Sequence, residues 1–336
     1  MCIANQRCAA WISLESIGLP AQGCLRSSQW LKDLRVPCFH SVLNSAIYLD
    51  RQHNKLICQK TVSHGAFGFI DLVKWKKATE EVDLYVKRPI MQGKNLIYEA
   101  CIQKLVGECL TSIGFPTGAP KVTHVFKLLD DSVCFAMEPI EGAVTLDRFL
   151  ETIPVSRLSE VIIECLLQLC AMLWYLTNRI GINHRDVKPS NFLIVEHPVP
   201  QRKILAIEDT ILEISSKFSL TLIDFGFSCL GATDTQHSQL SLSTVYSSTD
   251  PCPKEGRDLY LFLGLLYSDY HAKLPDPLRR LFESWLEEPG STFCAFMRRD
   301  AEHSKRWLYF MAGNDQIKRF RSCPVRILRD LQAFIA

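Results

Sequence analysis

The stretch Asn183-His184-Arg185-Asp186-Val187-Lys188-Pro189-Ser190-Asn191, followed downstream by Ile223-Asp224-Phe225-Gly226, decides how this chain is read. It supplies a carboxylate, a lysine two residues on, an amide five residues on, and a second carboxylate in front of Phe-Gly. Each type suits a task in phosphoryl transfer. A carboxylate orients the attacking hydroxyl, a lysine offsets charge on the moving phosphoryl group, and amide and carboxylate oxygens hold Mg²⁺ against a nucleotide.

The order H-R-D-x-K-x-x-N followed by D-F-G resembles the catalytic and metal-binding loops of protein kinases. The resemblance runs over residues 55 to 336 and implies an α+β, bilobal fold with a small β-rich lobe and a larger helical one. It implies Asp186 as base, Lys188 as phosphate partner, and Asn191 and Asp224 as Mg²⁺ ligands. Lys188 matches the serine/threonine-directed subgroup. His184 and Phe225 would be packing residues of the internal spine, and Asp258, in Gly256-Arg257-Asp258-Leu259-Tyr260, would anchor the catalytic-loop backbone. Arg185 would pair with a phosphorylated residue of the segment that follows Phe227. Ser238, Ser241, Ser243, Thr244, Ser247, Ser248 and Thr249 are the candidates. The Asp-Phe-Gly-Phe-Ser-Cys run and the Gly-Arg-Asp-Leu-Tyr start resemble divergent kinases of large DNA viruses.

The nucleotide-binding half follows the same order. Thr61-Val62-Ser63-His64-Gly65-Ala66-Phe67-Gly68-Phe69-Ile70 resembles the glycine-rich loop, with Ser63 at the first glycine position. Glycines there let backbone N–H groups approach phosphate oxygens. Val62, Ser63, Gly65, Gly68 and Ile70 are therefore ATP-site candidates. Lys87 occupies the place of the strand lysine, with Glu99 as its expected partner and Glu108 as the alternative. The interval is short (99 − 87 = 12) and implies a tight connection into the helix. Phe135-Ala136-Met137-Glu138-Pro139-Ile140 resembles the hinge. The backbone of Glu138 and Ile140 would face the adenine edge, and Leu193 would close the pocket from below.

Three departures qualify the resemblance. Tyr85, two before the lysine and on the same strand face, stands where the family has a small residue against the adenine. From Asp186 to Asp224 is 38 residues (224 − 186), longer than is usual. The excess, 196–218, reads as a surface insertion with a helix-like run at Ile204 to Ile214. No Ala-Pro-Glu follows the Asp-Phe-Gly, and that motif shapes the shelf for a peptide substrate.

Composition narrows the remaining classes. A chain of 336 residues with 47% hydrophobic residues buries a large core. A net charge of +2 gives no electrostatic argument for nucleic acid or an acidic membrane. Fourteen cysteines with no C-x-x-C pair read mostly as reduced, buried thiols. The apolar run Val161 to Leu176, interrupted by Glu164 and Gln168, reads as a buried helix too short to span a membrane. With no apolar h-region at the N-terminus, an intracellular location, cytoplasmic or nuclear, is expected.

Along the chain, residues 1–52 carry no motif and read as an N-terminal extension, ahead of a kinase-like domain at 53–336. Its N-lobe is placed at 53–138 and its C-lobe at 139–336. Strand-like runs fall at 55–62, 69–75, 82–86, 122–129 and 133–137, with a helical period from Leu96 to Val106. Helices are expected at 145–153, 158–179, 257–269 and 277–288. The expected activity is transfer of the γ-phosphate of ATP, with Mg²⁺, to a protein hydroxyl. Two alternatives stay open: a pseudokinase scaffold, and a kinase acting on a non-protein substrate.

Overall fold

The computed structural model describes residues 38–41, 47–49 and 54–335, apart from 65–67, 77–78, 129, 209, 232–239, 244, 248–249, 288–290 and 318. Short runs of β-branched and aromatic residues between turns form β1 (Cys38–Ser41), β2 (Ile47–Leu49), β3 (Lys55–His64), β4 (Gly68–Lys76), β5 (Glu81–Pro89), β6 (Val122–Leu128) and β7 (Val133–Met137). Their order is β1-β2-β3-β4-β5-β7-β6, and the sheet closes into a barrel because β6 pairs in parallel with β1. Both β1 and β2 come from the stretch read as an extension to residue 52, so part of that stretch belongs to the sheet.

Alternation sorts the strand residues onto two faces. Leu56, Val73, Trp75, Leu84 and Val86 pack into a small core of their own. Tyr85 and Lys87 face the other way, toward the main core and α1 (Ile97–Ser112). The connection into α1 is tight, as the short interval implies. Leu96 N–H donates to Val133 O at 3.1 Å, Val133 N–H donates to Lys94 O at 3.0 Å, and Asn95 Oδ1 accepts Ile97 N–H.

Beyond the hinge come β8 (Val144–Thr145), α2 (Leu146–Thr152) and α3 (Val155–Tyr175), which runs on as a π-helical turn, Leu176–Ile180. β9 (Ile182–Asn183) leads into the catalytic-loop stretch. β10 (Phe192–Ile207) and β11 (Thr210–Leu222) form a long hairpin, and β12 (Cys229–Leu230) and β13 (Leu240–Ser241) follow. The chain ends in helices: α4 (Arg257–Tyr270), α5 (Asp276–Leu286), α6 (Phe293–Arg299), α7 (Ala301–Gly313) and α8 (Pro324–Ile335). A β-rich lobe with one helix, followed by a mainly helical lobe, is the α+β bilobal arrangement expected.

Two expectations need correction. Ile204 to Ile214 is not helical: it spans the end of β10, the turn at Glu208 (φ 51°) and the start of β11. Leu205, Ile207, Leu212 and Ile214 point inward at period two, and Gln168 of α3 bonds Ser216 Oγ (3.0 Å) and Phe218 O (2.9 Å) on the same face. The apolar helix is also longer than expected. Val155–Ile180 is long and apolar enough to cross a membrane by length and composition, but 72% of its apolar window is buried inside the protein. Burial in the core, not shortness, therefore accounts for its composition.

Candidate active site

Asp258, in the first turn of α4, organises the loop that carries Asp186. Its carboxylate accepts the N–H groups of His184 (2.8 Å) and Arg185 (2.9 Å) and the Asn183 side-chain amide (3.3 Å). These bonds hold Arg185 at φ 67°, a left-handed conformation that a non-glycine residue keeps only when its surroundings enforce it. His184 Nε2 lies 3.0 Å from Ile223 O, so the ring N–H faces that carbonyl, and its ring packs 4.9 Å from that of Phe225. The loop and the Asp-Phe-Gly segment are thereby joined, and Asp224 too is left-handed, at φ 65°.

Asp186 is buried, and both its oxygens are engaged. Oδ2 accepts from Lys188 Nζ (2.8 Å) and Asn191 Nδ2 (2.9 Å). Oδ1 accepts from the Tyr309 hydroxyl of α7 at 3.2 Å. Across the cleft, buried Lys87 forms an ion pair with Glu99 and donates to Asp224 Oδ1 at 2.8 Å. Burial pulls the Lys87 ammonium toward neutrality, but the two carboxylates outweigh it and hold its pKa above the ordinary lysine value. Burial works against the Asp224 carboxylate, yet the Lys87 charge and hydrogen bond keep its pKa below the usual value. Glu108 pairs instead with Lys104 at 2.9 Å, which leaves Glu99 as the partner of Lys87.

Lys87, Asn191 and Asp224 border one cavity of about 370 Å³, within the range of small-molecule sites. Asp186 and Lys188 are not on its wall and connect to it through Asn191. Val62, Ser63, Ile70, Lys87, Glu138, Ile140, Leu193, Asn191 and Asp224 line it. Gly65 lies outside the described residues. Gly68 is not on the wall, yet it is needed beside it: a Cβ there would sit 2.6 Å from Arg88 O and 3.5 Å from Lys87 Cε. Tyr85 forms part of the wall and leaves the cavity open. Glu138 N–H is spent on Lys121 O at 3.0 Å, so its carbonyl is the group it can offer a ligand.

The Asn191 amide nitrogen is turned to Asp186, which leaves its carbonyl oxygen as a ligand atom beside the ionised Asp224 carboxylate. An all-oxygen pair of this kind fits Mg²⁺, which takes few protein ligands and completes its shell with water and phosphate.

Arg185 corrects a further expectation. It needs no phosphate for a partner, because it is buried against Asp250 (3.2 Å) and donates to Ser241 Oγ (2.8 Å). Of the candidate phosphorylation positions, Ser238, Thr244, Ser248 and Thr249 lie outside the described residues. Cys229 and Cys252 form a disulfide across this segment. Other described cysteines, such as buried Cys134 and Cys165, carry reduced thiols.

Sequence reasoning missed Gln103, Tyr309 and Asp250. Gln103 donates to Pro120 O (2.9 Å) at the back wall of the cavity, and its helical spacing was the one available signal. Tyr309 lies 123 residues from Asp186 and carries no motif.

No protein-family model matches the chain, and no curated protein matches it. Among solved structures it is similar to the BubR1 kinase domain, with 21% identity and a TM-score of 0.39, over 61% of this chain and 57% of that one. The chain thus spans little more than half the length of that domain. It is also similar to the PF14_0431 kinase domain, with 13% identity and a TM-score of 0.42, over 86% of this chain and 97% of that one. At these scores neither likeness bears weight beside the geometry of the site.

Proposed function

We propose that this chain transfers the γ-phosphoryl group of ATP to a serine or threonine hydroxyl of a protein. One observation supports this above the others: Lys87, Asp224 and Asn191 line a single cavity, and Asn191 donates from its wall to Asp186, to which Lys188 also donates. Mg-ATP supplies the phosphoryl group and the metal that neutralises its developing charge. Lys87, held charged and fixed by Glu99, binds the nucleotide's phosphates. Asn191 and Asp224 offer oxygens to the metal. Val62, Ser63, Ile70 and Leu193 enclose the base, with the Glu138 carbonyl and the Ile140 backbone at its edge. Asp186 takes the proton of the attacking hydroxyl, and Lys188, bonded to the same carboxylate, stands ready for the transferred phosphate.

The test is incubation of the purified chain with Mg²⁺, γ-labelled ATP and a lysine-rich histone preparation, beside Asp186→Asn. The variant should keep its fold and its nucleotide-dependent melting shift while transfer falls by about 10²–10⁴-fold, the range for a lost general base. Ligand at about 100 times its dissociation constant stabilises by roughly 2.7 kcal/mol, ample for a melting assay. Equal labelling by variant and wild type would remove Asp186 as the base. A melting shift without any labelling would leave a nucleotide-binding protein that catalyses nothing.

A further inference from the structure

Asp186 has two oxygens, and they differ in what they can still accept. Oδ2 already takes Lys188 Nζ at 2.8 Å and Asn191 Nδ2 at 2.9 Å, which fills its lone-pair directions. Oδ1 takes one donor, the Tyr309 hydroxyl, at 3.2 Å. An incoming hydroxyl therefore arrives at Oδ1, where the phenol takes one of the two lone-pair directions. The contact is long for an O–H donor on a carboxylate, so it is readily exchanged.

Tyr309 is not there by a loose approach of α7. The last carbonyls of that helix accept from cations: Arg257 Nε bonds Ala312 O (2.9 Å), and Lys254 Nζ bonds Asn314 O (2.7 Å). Positive charge at a helix C-terminus is favourable. A Cβ at Gly313 would lie 3.2 Å from the Tyr246 ring, whose hydroxyl donates to Arg185 O at 2.6 Å. The end of α7 is thus fixed to the residue before Asp186, and Tyr309 sits one turn earlier.

The geometry points to a guard role for Tyr309: its hydroxyl stands in for the acceptor hydroxyl at Asp186 Oδ1, competes with water for that oxygen, and gives way when an acceptor binds. The inference rests on the phosphoryl-transfer reading above. The reaction it suppresses is hydrolysis. A water oxygen bonds to the γ-phosphorus, the bond from phosphorus to the ADP oxygen breaks, and the water proton passes to Asp186 Oδ1 and then to solvent. Tyr309 is a positioning residue in this scheme: it bonds the accepting oxygen of Asp186 in the resting site and takes no part in the bonds made and broken.

The experiment compares wild type, Tyr309→Phe and Tyr309→Phe with Asp186→Asn, in Mg-ATP without acceptor. The phenylalanine variant should hydrolyse ATP about threefold to tenfold faster than wild type, the scale set by one hydrogen bond. The double variant should lose the gain. Tyr309→Phe should melt within a few degrees of wild type and keep its nucleotide-dependent shift, which shows that the fold and the nucleotide site are intact. A second readout needs no turnover: with ring-labelled tyrosine, the Tyr309 resonance of the nucleotide-free protein should move in Asp186→Asn. Hydrolysis that is unchanged or slower in Tyr309→Phe, while wild type still labels histone, overturns the guard role alone. An unmoved resonance also overturns it. A wild type with no labelling, no hydrolysis and no melting shift removes the phosphoryl-transfer reading and the guard with it.

Discussion

Asp250 shows how much one side chain can settle. Its carboxylate meets three buried cations, Arg185 at 3.2 Å, Lys254 at 2.6 Å and Arg257. Positive charge is in excess there, and Lys254 yields: burial, then the neighbouring Arg257, pulls its pKa down to about 8 from 10.5. The unfolded chain holds that proton until about 10.5, whereas the folded chain releases it near 8. The unfolded state therefore binds more protons in this interval, and this group makes stability rise with pH across it. Wild type should gain stability relative to Lys254→Met between pH 8 and 10 in urea denaturation, and a constant difference would contradict the shift. Asp186, Asn191 and Asp224 stood out as candidates because they fall in two compact blocks. The tie from Asp250 to Arg185 and that from Tyr309 to Asp186 did not, because they cross 65 and 123 residues and no local pattern announces them.

The hairpin of β10 and β11 shows where periodicity alone misleads. Ile204, Ile207, Ile211 and Ile214 recur at three and four, as on a helix face, while Leu205, Ile207, Leu212 and Ile214 recur at two within each strand. The two patterns share members, and the turn at Glu208 is what separates them. They predict opposite fates for Ile211. A helix would bury it beside Ile214, but in the hairpin it is 75% exposed while Ile214 is 1% exposed. Ile214→Ala should cost about 2–5 kcal/mol of stability, and Ile211→Ala no more than about 0.5 kcal/mol. Chemical denaturation of the two variants checks this, and equal losses would argue for the helical arrangement. The strands and helix of the first lobe were easier to read, since each run has one period and is bounded by turn residues.

At the scale of the whole molecule, the two lobes meet where Lys87 of β5 reaches Asp224 beyond β11, over a cavity walled from both sides. The order of strands then helices was enough to anticipate two lobes. Closure of the first lobe was not legible, because it depends on two very short strands and on a parallel pairing between β1 and β6 that is distant in sequence. Closure has a consequence for how copies of this protein treat one another. Sheet borders offer rows of unpaired N–H and C=O groups that recruit strands from other chains, and a barrel has no such borders. A chain beginning at residue 54 would strip one neighbouring strand each from β3 and β6 and leave them as sheet borders. It should form concentration-dependent oligomers in sedimentation velocity more readily than the full chain does, and identical sedimentation would show that the short strands do not insulate the sheet. The strands β1 and β2, which carry no motif at all, would then be what keeps neighbouring molecules from recognising one another.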